Sequence, residues 1–200
     1  MKLLKNILIP LVAVLGCAAI LFGLNLALRG VGETKKNEVL KWHMETILPG
    51  SSDFTEEEYT GEDANIRRVF KAENGYVIET VTYGYAGEIT MLVGVNNSGK
   101  VTGLVVTDLS ETCGLGAEAL NDAPFLAQFL NTEGNVSIGT AGADAFSGAT
   151  DSASQAEDTV YVDGITGATV TSKAIARSVN SAVAFVTGAD VDSGATSWGG

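Results

Sequence analysis

The chain has 200 residues, with 24 acidic against 12 basic side chains and a formal net charge of −12. Residues 1–30 hold Lys2, Lys5 and Arg29 and no acid, so the remainder sets nine basic residues against all 24 acidic ones. So acidic a domain is a poor partner for nucleic acid, and two cysteines with a single histidine, His43, exclude the ligand clusters of iron–sulfur, zinc and haem centres; a redox role would need an organic cofactor.

In chain order, residues 1–30 read as a short tip and a membrane anchor, because Asn6 to Leu28 is apolar apart from Pro10 and Asn25. Lys2 and Lys5 also fit the charged start of a secretory signal, and Val14-Leu15-Gly16-Cys17 approximates a lipoprotein cleavage site. Ala18 to Leu28 stays apolar beyond that site, which favours an uncleaved anchor. Residues 31–68 read as a linker. Lys35 to Leu48 predicts a short helix ending at Pro49-Gly50, and Ser51 to Asn65 is acidic and turn-rich, with Glu56-Glu57-Glu58 a solvated face. His43 has no nearby ligand partner in sequence and reads as a packing or surface residue. Cys17 and Cys113 lie too far apart in character and position to predict a disulfide.

Residues 69–188 predict the main domain, and 189–200 a tail. The period becomes strand-like from Val69: Val69 to Ala72, a tight turn at Asn74-Gly75, then Tyr76 to Tyr83. Gly84-Tyr85-Ala86-Gly87 is a loop before a strand from Glu88 to Val95, and Asn96 to Gly99 turns the chain into Val101 to Leu109. Three to five antiparallel strands in a meander follow from this pattern. Asn121 to Leu130 predicts a short helix carrying Phe125, Leu126 and Phe129. Asn131 to Asp158 is Gly/Ala/Ser/Thr-rich and reads as a loop or insertion, and Val160-Tyr161-Val162 as a last short strand. From Lys173, apolar Ile175, Val179, Ala182, Val183 and Val186 recur at helical steps, with Lys173, Arg177, Ser178 and Ser181 on other faces. The fold class expected is α+β: one N-terminal transmembrane helix, then a mostly antiparallel sheet with flanking helices.

Two stretches carry the chemistry. Asp163-Gly164-Ile165-Thr166-Gly167-Ala168-Thr169-Val170-Thr171-Ser172 sets small residues and hydroxyls at a helix start, a physical seat for phosphate. Ser110-Glu111-Thr112-Cys113-Gly114-Leu115-Gly116 places two glycines after a strand, where backbone can approach a large group. Together they resemble the FMN-binding domain found in the G subunit of Rnf complexes and in the C subunit of Na+-translocating NADH:quinone oxidoreductase. Gly84 to Ile89 and Val93-Gly94-Val95 resemble that family too, and Cys113 stands where it usually has Pro.

The resemblance implies covalent FMN, its phosphate esterified by a flavin transferase to the last Thr of the motif, Thr169. It implies that Thr166, Gly167, Ala168 and Thr171 shape the phosphate end, while Glu111, Thr112, Gly114, Leu115 and Gly116 line the flavin. It further implies a single-pass subunit of the cell membrane, its N-terminus cytoplasmic and its FMN domain outside. Its partners would be the other membrane subunits of a complex that passes electrons between ferredoxin and NAD, coupled to Na+ or H+ translocation. No complete active site and no metal are expected on this chain alone. The quinone-reductase subunit, a stand-alone extracytoplasmic flavin carrier and a cofactor-free anchored binding domain stay as alternatives.

The pattern Asp-x-x-Ser/Thr-Gly-Ala-Thr recurs, ending at Thr150, Thr169 and Thr196, positions 19 and 27 residues apart. Neither interval could hold a repeated folded unit. Thr150 precedes acidic Asp151, Glu157 and Asp158, and only Ser197-Trp198-Gly199-Gly200 follow Thr196. Only Thr169 opens an amphipathic helix, whose positive end and Lys173 favour phosphate.

Overall fold

The computed structural model describes residues 2–109, 122–139 and 159–189. Glu111, Thr112, Cys113, Gly114, Leu115 and Gly116 lie outside them, as do the motif copies ending at Thr150 and Thr196. Two compact units divide the chain, Met1–Trp42 and His43–Gly200.

Helix α1 runs from Lys2 to Ile47 without a break. The separate helix expected over 35–48 is instead the end of this one. Gly30 and Gly32 cost roughly 1 kcal/mol each in a helix interior, but no proline lies between them and Ile47 to stop propagation. Side chains of α1 are described for residues 14–24 and 35–47; within the first stretch Val14, Leu15, Ile20, Leu21, Phe22 and Leu24 all point outward. Over the residues whose side chains are described, no helix is long and apolar enough to cross a membrane.

In the second unit, β1 (Thr55–Glu57), β2 (Ile66–Ala72), β3 (Gly75–Tyr83), β4 (Glu88–Asn96) and β5 (Val101–Leu109) form a five-stranded sheet in sequence order. Every neighbouring pair is antiparallel. The first hairpin closes one residue earlier than expected: Ala72 pairs with Gly75, so Glu73-Asn74 form the turn. Gly99, at φ +84°, completes the Asn96 turn by donating its N–H to the Asn96 carbonyl at 2.9 Å.

Strand β1 emerges from a stretch that reads as acidic turn, because its charges are matched across the strand pair. Glu56 accepts from Arg68 Nε at 2.7 Å and Nη2 at 2.9 Å, and Lys71 Nζ lies 3.4 Å from Glu57. The Arg68 hydrogen bond holds the Glu56 carboxyl below the usual carboxylate range, with desolvation opposing it. A depressed folded-state pKa stabilises above the unfolded value and is lost as pH falls through the folded one. Glu56→Gln should therefore lower stability at neutral pH by under about 1 kcal/mol, since the pair is half-exposed. In urea titrations the difference from the parent should close below the carboxylate range and shrink in salt; a pH-independent difference would refute the linkage.

Helix α2 (Ala123–Ala127) is capped by Asp122, whose carboxylate accepts the Phe125 N–H at 3.0 Å. Strands β6 (Val136–Ile138) and β7 (Val160–Val162) pair in parallel as a separate two-stranded sheet. β6 lies in the stretch expected to be loop. Three residues are too few to show alternation, and its partners are distant in sequence.

Helix α3 (Thr169–Thr187) covers one face of the large sheet. Ile175, Val179, Ala182 and Val183 pack into a core with Ile78, Ile89, Met91, Val93 and Val95, all fully buried. Ser178 and Ser181, expected on other faces, are fully buried as well. Ser178 lies against Thr82 of β3 and Ser181 against Asn65, just before β2; small hydroxyl side chains let the helix sit close and find partners there. The opposite face carries the cross-strand row Phe70–Val77–Gly94–Gly103. A Cβ on Gly94 would stand 2.7 Å from the Ile47 carbonyl oxygen, and one on Gly103 would stand 2.8 Å from Ile47 Cα. These two glycines thus admit the last turn of α1 onto the sheet, and Thr102 Oγ1 donates to the Ile47 carbonyl at 2.6 Å.

Candidate functional site

The chain leaves β7 into the motif under a two-point clamp. Gln128 Oε1 accepts the Asp163 N–H at 3.0 Å, and Gln128 Nε2 donates to the Asp163 carbonyl at 3.3 Å. The next turn folds on itself, with the Ile165 N–H on Ser172 Oγ at 3.2 Å and the Ala168 N–H on the Ile165 carbonyl at 2.9 Å. Gly167 takes φ +84°, a left-handed conformation that disfavours any side chain. Ala168 is then the N-cap of α3 and supplies no side-chain acceptor.

That absence sets the electrostatics. A helix start usually finds Ser, Thr, Asp or Asn to meet its unpaired N–H groups. Here no side chain caps the helix and its first turn holds no acid. The positive end of the macrodipole is left for an external anion. Thr169, the first helical residue, is exposed there beside exposed Thr166 and Gly167, with Lys173 exposed one turn on. Ala168 is buried beneath them. Thr171 is fully buried, on the interior side of the helix.

Polar contacts fix the helix to its surroundings. Thr82 Oγ1 donates to the Ala174 carbonyl at 3.2 Å and lies 3.0 Å from Ser178 Oγ, while Asn65 Nδ2 donates to Ser181 Oγ at 3.0 Å. Asn180 grips β6 from both sides: its Oδ1 accepts the Val136 N–H at 2.9 Å and its Nδ2 donates to the Val136 carbonyl at 3.0 Å. Asn180→Ala leaves two buried backbone groups unpaired, at about 1–3 kcal/mol each. Thermal unfolding should show a loss of that order, with faster amide exchange at Val136; a neutral substitution would mean that water replaces the side chain.

The end of the sheet nearest Thr169 follows from these contacts. Tyr76 packs edge-on against Phe185, centroids 5.7 Å apart, and Thr82 meets Ala174 and Ser178, so β3 and α3 run antiparallel. The β3–β4 hairpin tip therefore shares an end of the domain with the start of α3. Strand β5 finishes at the same end, Leu109 opposite Ile89. The flavin-lining set expected at Glu111, Thr112, Gly114, Leu115 and Gly116 follows Leu109 in sequence and lies outside the described residues. Gln128, Asn180 and Thr82 were not apparent as site supports from sequence. Only Asn180, polar within an apolar helix stripe, gave a local sign.

A family model described as the FMN-binding domain matches residues 84–184. The chain is 37% identical over 112 residues to the G subunit of the proton-translocating ferredoxin:NAD(+) oxidoreductase complex of Clostridium ljungdahlii, covering 56% of this chain and 53% of that one. It is 34% identical over 113 residues to the G subunit of the Na(+)-translocating ferredoxin:NAD(+) oxidoreductase complex of Acetobacterium woodii, covering 54% and 47%. With the G subunit of the ion-translocating oxidoreductase complex of Methanosarcina acetivorans it shares 32% identity over 162 residues, covering 74% and 76%. The chain thus spans about half the length of the first two relatives and three quarters of the third. With the family model covering half of the chain and the third relative matched over most of its length, the chain belongs to the FMN-binding domain family, of the kind found in the G subunits of ion-translocating ferredoxin:NAD+ oxidoreductase complexes.

Proposed function

We propose that this chain carries FMN in phosphoester linkage on Thr169 and passes electrons within an ion-translocating ferredoxin:NAD+ oxidoreductase complex. The observation that carries the reading is the exposed Thr169 hydroxyl at an uncapped helix start, inside the segment that matches the FMN-binding family. The residues present fit the phosphate end of the cofactor. Thr169 supplies the ester oxygen, the α3 N-terminus and Lys173 offset phosphate charge, and Gly167 and Ala168 keep the entrance free of bulk. Bound flavin supplies the electron chemistry, while the protein fixes its position and tunes its potential. Glu111, Thr112, Gly114, Leu115 and Gly116 complete this reading as the flavin-lining loop.

The same reading assigns residues 6–28 as an uncleaved membrane anchor, supported by their apolar sequence and by the outward-facing apolar side chains over 14–24. The N-terminus lies in the cytoplasm and the flavin domain outside the membrane. A flavin transferase matures the chain, and its lasting partners are the other membrane subunits of the complex.

Intact-mass measurement of protein purified from its native host, followed by peptide mapping, tests the proposal. One FMN-phosphoryl increment on the peptide bearing Thr169 supports it. A bare-chain mass with no visible absorbance, in cells with an active transferase, overturns it. Further increments would extend modification to Thr150 or Thr196.

A further inference from the structure

The β3–β4 connection is a four-residue turn closed by the Gly84 N–H on the Gly87 carbonyl at 2.9 Å, with Tyr85 at its first corner. The Tyr85 ring is 80% exposed, more than any other large hydrophobic side chain described. Tyr83 differs: its hydroxyl donates to Glu88 Oε1 at 2.8 Å, which holds that ring to its own hairpin. A single exposed aromatic is ordinary on a protein surface. The position of this one is not, because the antiparallel packing of β3 on α3 sets the turn at the end of the domain where Thr169 opens the helix.

We propose that Tyr85 is the platform on which the isoalloxazine ring of the Thr169-linked FMN stacks; the inference rests on the covalent reading above. Tyrosine suits the task. It offers a large flat face on only two rotatable bonds, so little freedom is lost when it is covered. Aromatic faces prefer offset stacking, and an electron-rich phenol face complements the electron-poor oxidised flavin better than the electron-rich reduced one. The stack would hold the flavin against the protein instead of leaving it to swing on its ribityl chain. It would also favour the oxidised state and lower the flavin's potential. Tyr85 is on this view a positioning residue for the cofactor.

The test uses the full chain loaded with FMN by its transferase, comparing the unsubstituted protein with Tyr85→Ala and Tyr85→Trp. Intact mass reports loading, flavin fluorescence reports stacking, and a redox titration reports the potential. Tyr85→Ala should carry the same single FMN increment, emit several-fold more flavin fluorescence and show a raised midpoint potential. Tyr85→Trp should restore quenching, since tryptophan also stacks and quenches flavin. Equal loading with emission and potential unchanged in Tyr85→Ala would overturn the platform and leave the covalent reading standing. Failure of the unsubstituted chain to acquire FMN would overturn the covalent reading, and the platform with it. Because Tyr85 is exposed on a surface turn, its substitution leaves the melting temperature close to that of the parent, which checks that the readouts concern the flavin and not the fold.

Discussion

Replacing Thr169 by alanine should abolish covalent flavin while leaving the domain folded. The side chain is exposed and makes no cap for α3, so the stability change should stay within about 0.5 kcal/mol. Alanine is, moreover, a better helix former than threonine. The chemical loss is complete, because no ester can form without the hydroxyl oxygen. Intact mass should lack the FMN increment, a denaturing gel should show no flavin fluorescence, and electron transfer through the assembled complex should fall to background. Thr166→Ala is the control: it removes another exposed hydroxyl three residues earlier and should keep the increment. An unaltered increment in Thr169→Ala would move the acceptor to another hydroxyl.

The second large effect is on the fold beneath the motif. Phe129 is fully buried and meets Phe125 edge to face, centroids 5.3 Å apart. Phe129→Ala should cost about 3–5 kcal/mol, from lost transfer energy and the cavity left behind. That is a large share of the roughly 5–15 kcal/mol that holds a domain together. A urea midpoint shifted strongly at unchanged slope would confirm it. Phe129→Leu, which keeps much of the apolar volume, should lose less. A loss below about 1 kcal/mol for alanine would mean that the core collapses into the gap. Because Gln128, the neighbour of Phe129, grips the Asp163 backbone, FMN loading should also fall in cells carrying the destabilised variant.

The elements legible in the sequence were those with strong local pattern. Strands β3, β4 and β5 alternate or run apolar between turns marked by Asn and Gly, and α3 repeats its apolar residues at helical steps. Strands β1 and β6 escaped notice because three residues carry no period. Each is held by distant partners instead: Arg68 and Lys71 for β1, and Asn180 with β7 for β6. The unbroken α1 ran through Gly30 and Gly32, which weaken a helix without ending one. The burial of Ser178 and Ser181 was hidden by their chemistry, since their hydroxyls find partners only across the chain, in Thr82 and Asn65. In the candidate site, the motif and its helix were readable. The clamp from Gln128 and the convergence of the hairpin tip with the helix start were not, because both are products of tertiary packing.

The hydroxyl and amide contacts along α3 also bear on how finely the acceptor is located. A helix held to a sheet by aliphatic contacts alone can slide along its axis with little change in buried area. The Thr82–Ser178, Asn65–Ser181 and Asn180–Val136 contacts act as detents against that motion. A slip of one turn, about 5.4 Å, would break all of them at once. Thr169 therefore stands at a set height above the sheet end, so a group esterified to it, as proposed, would hang from a fixed origin.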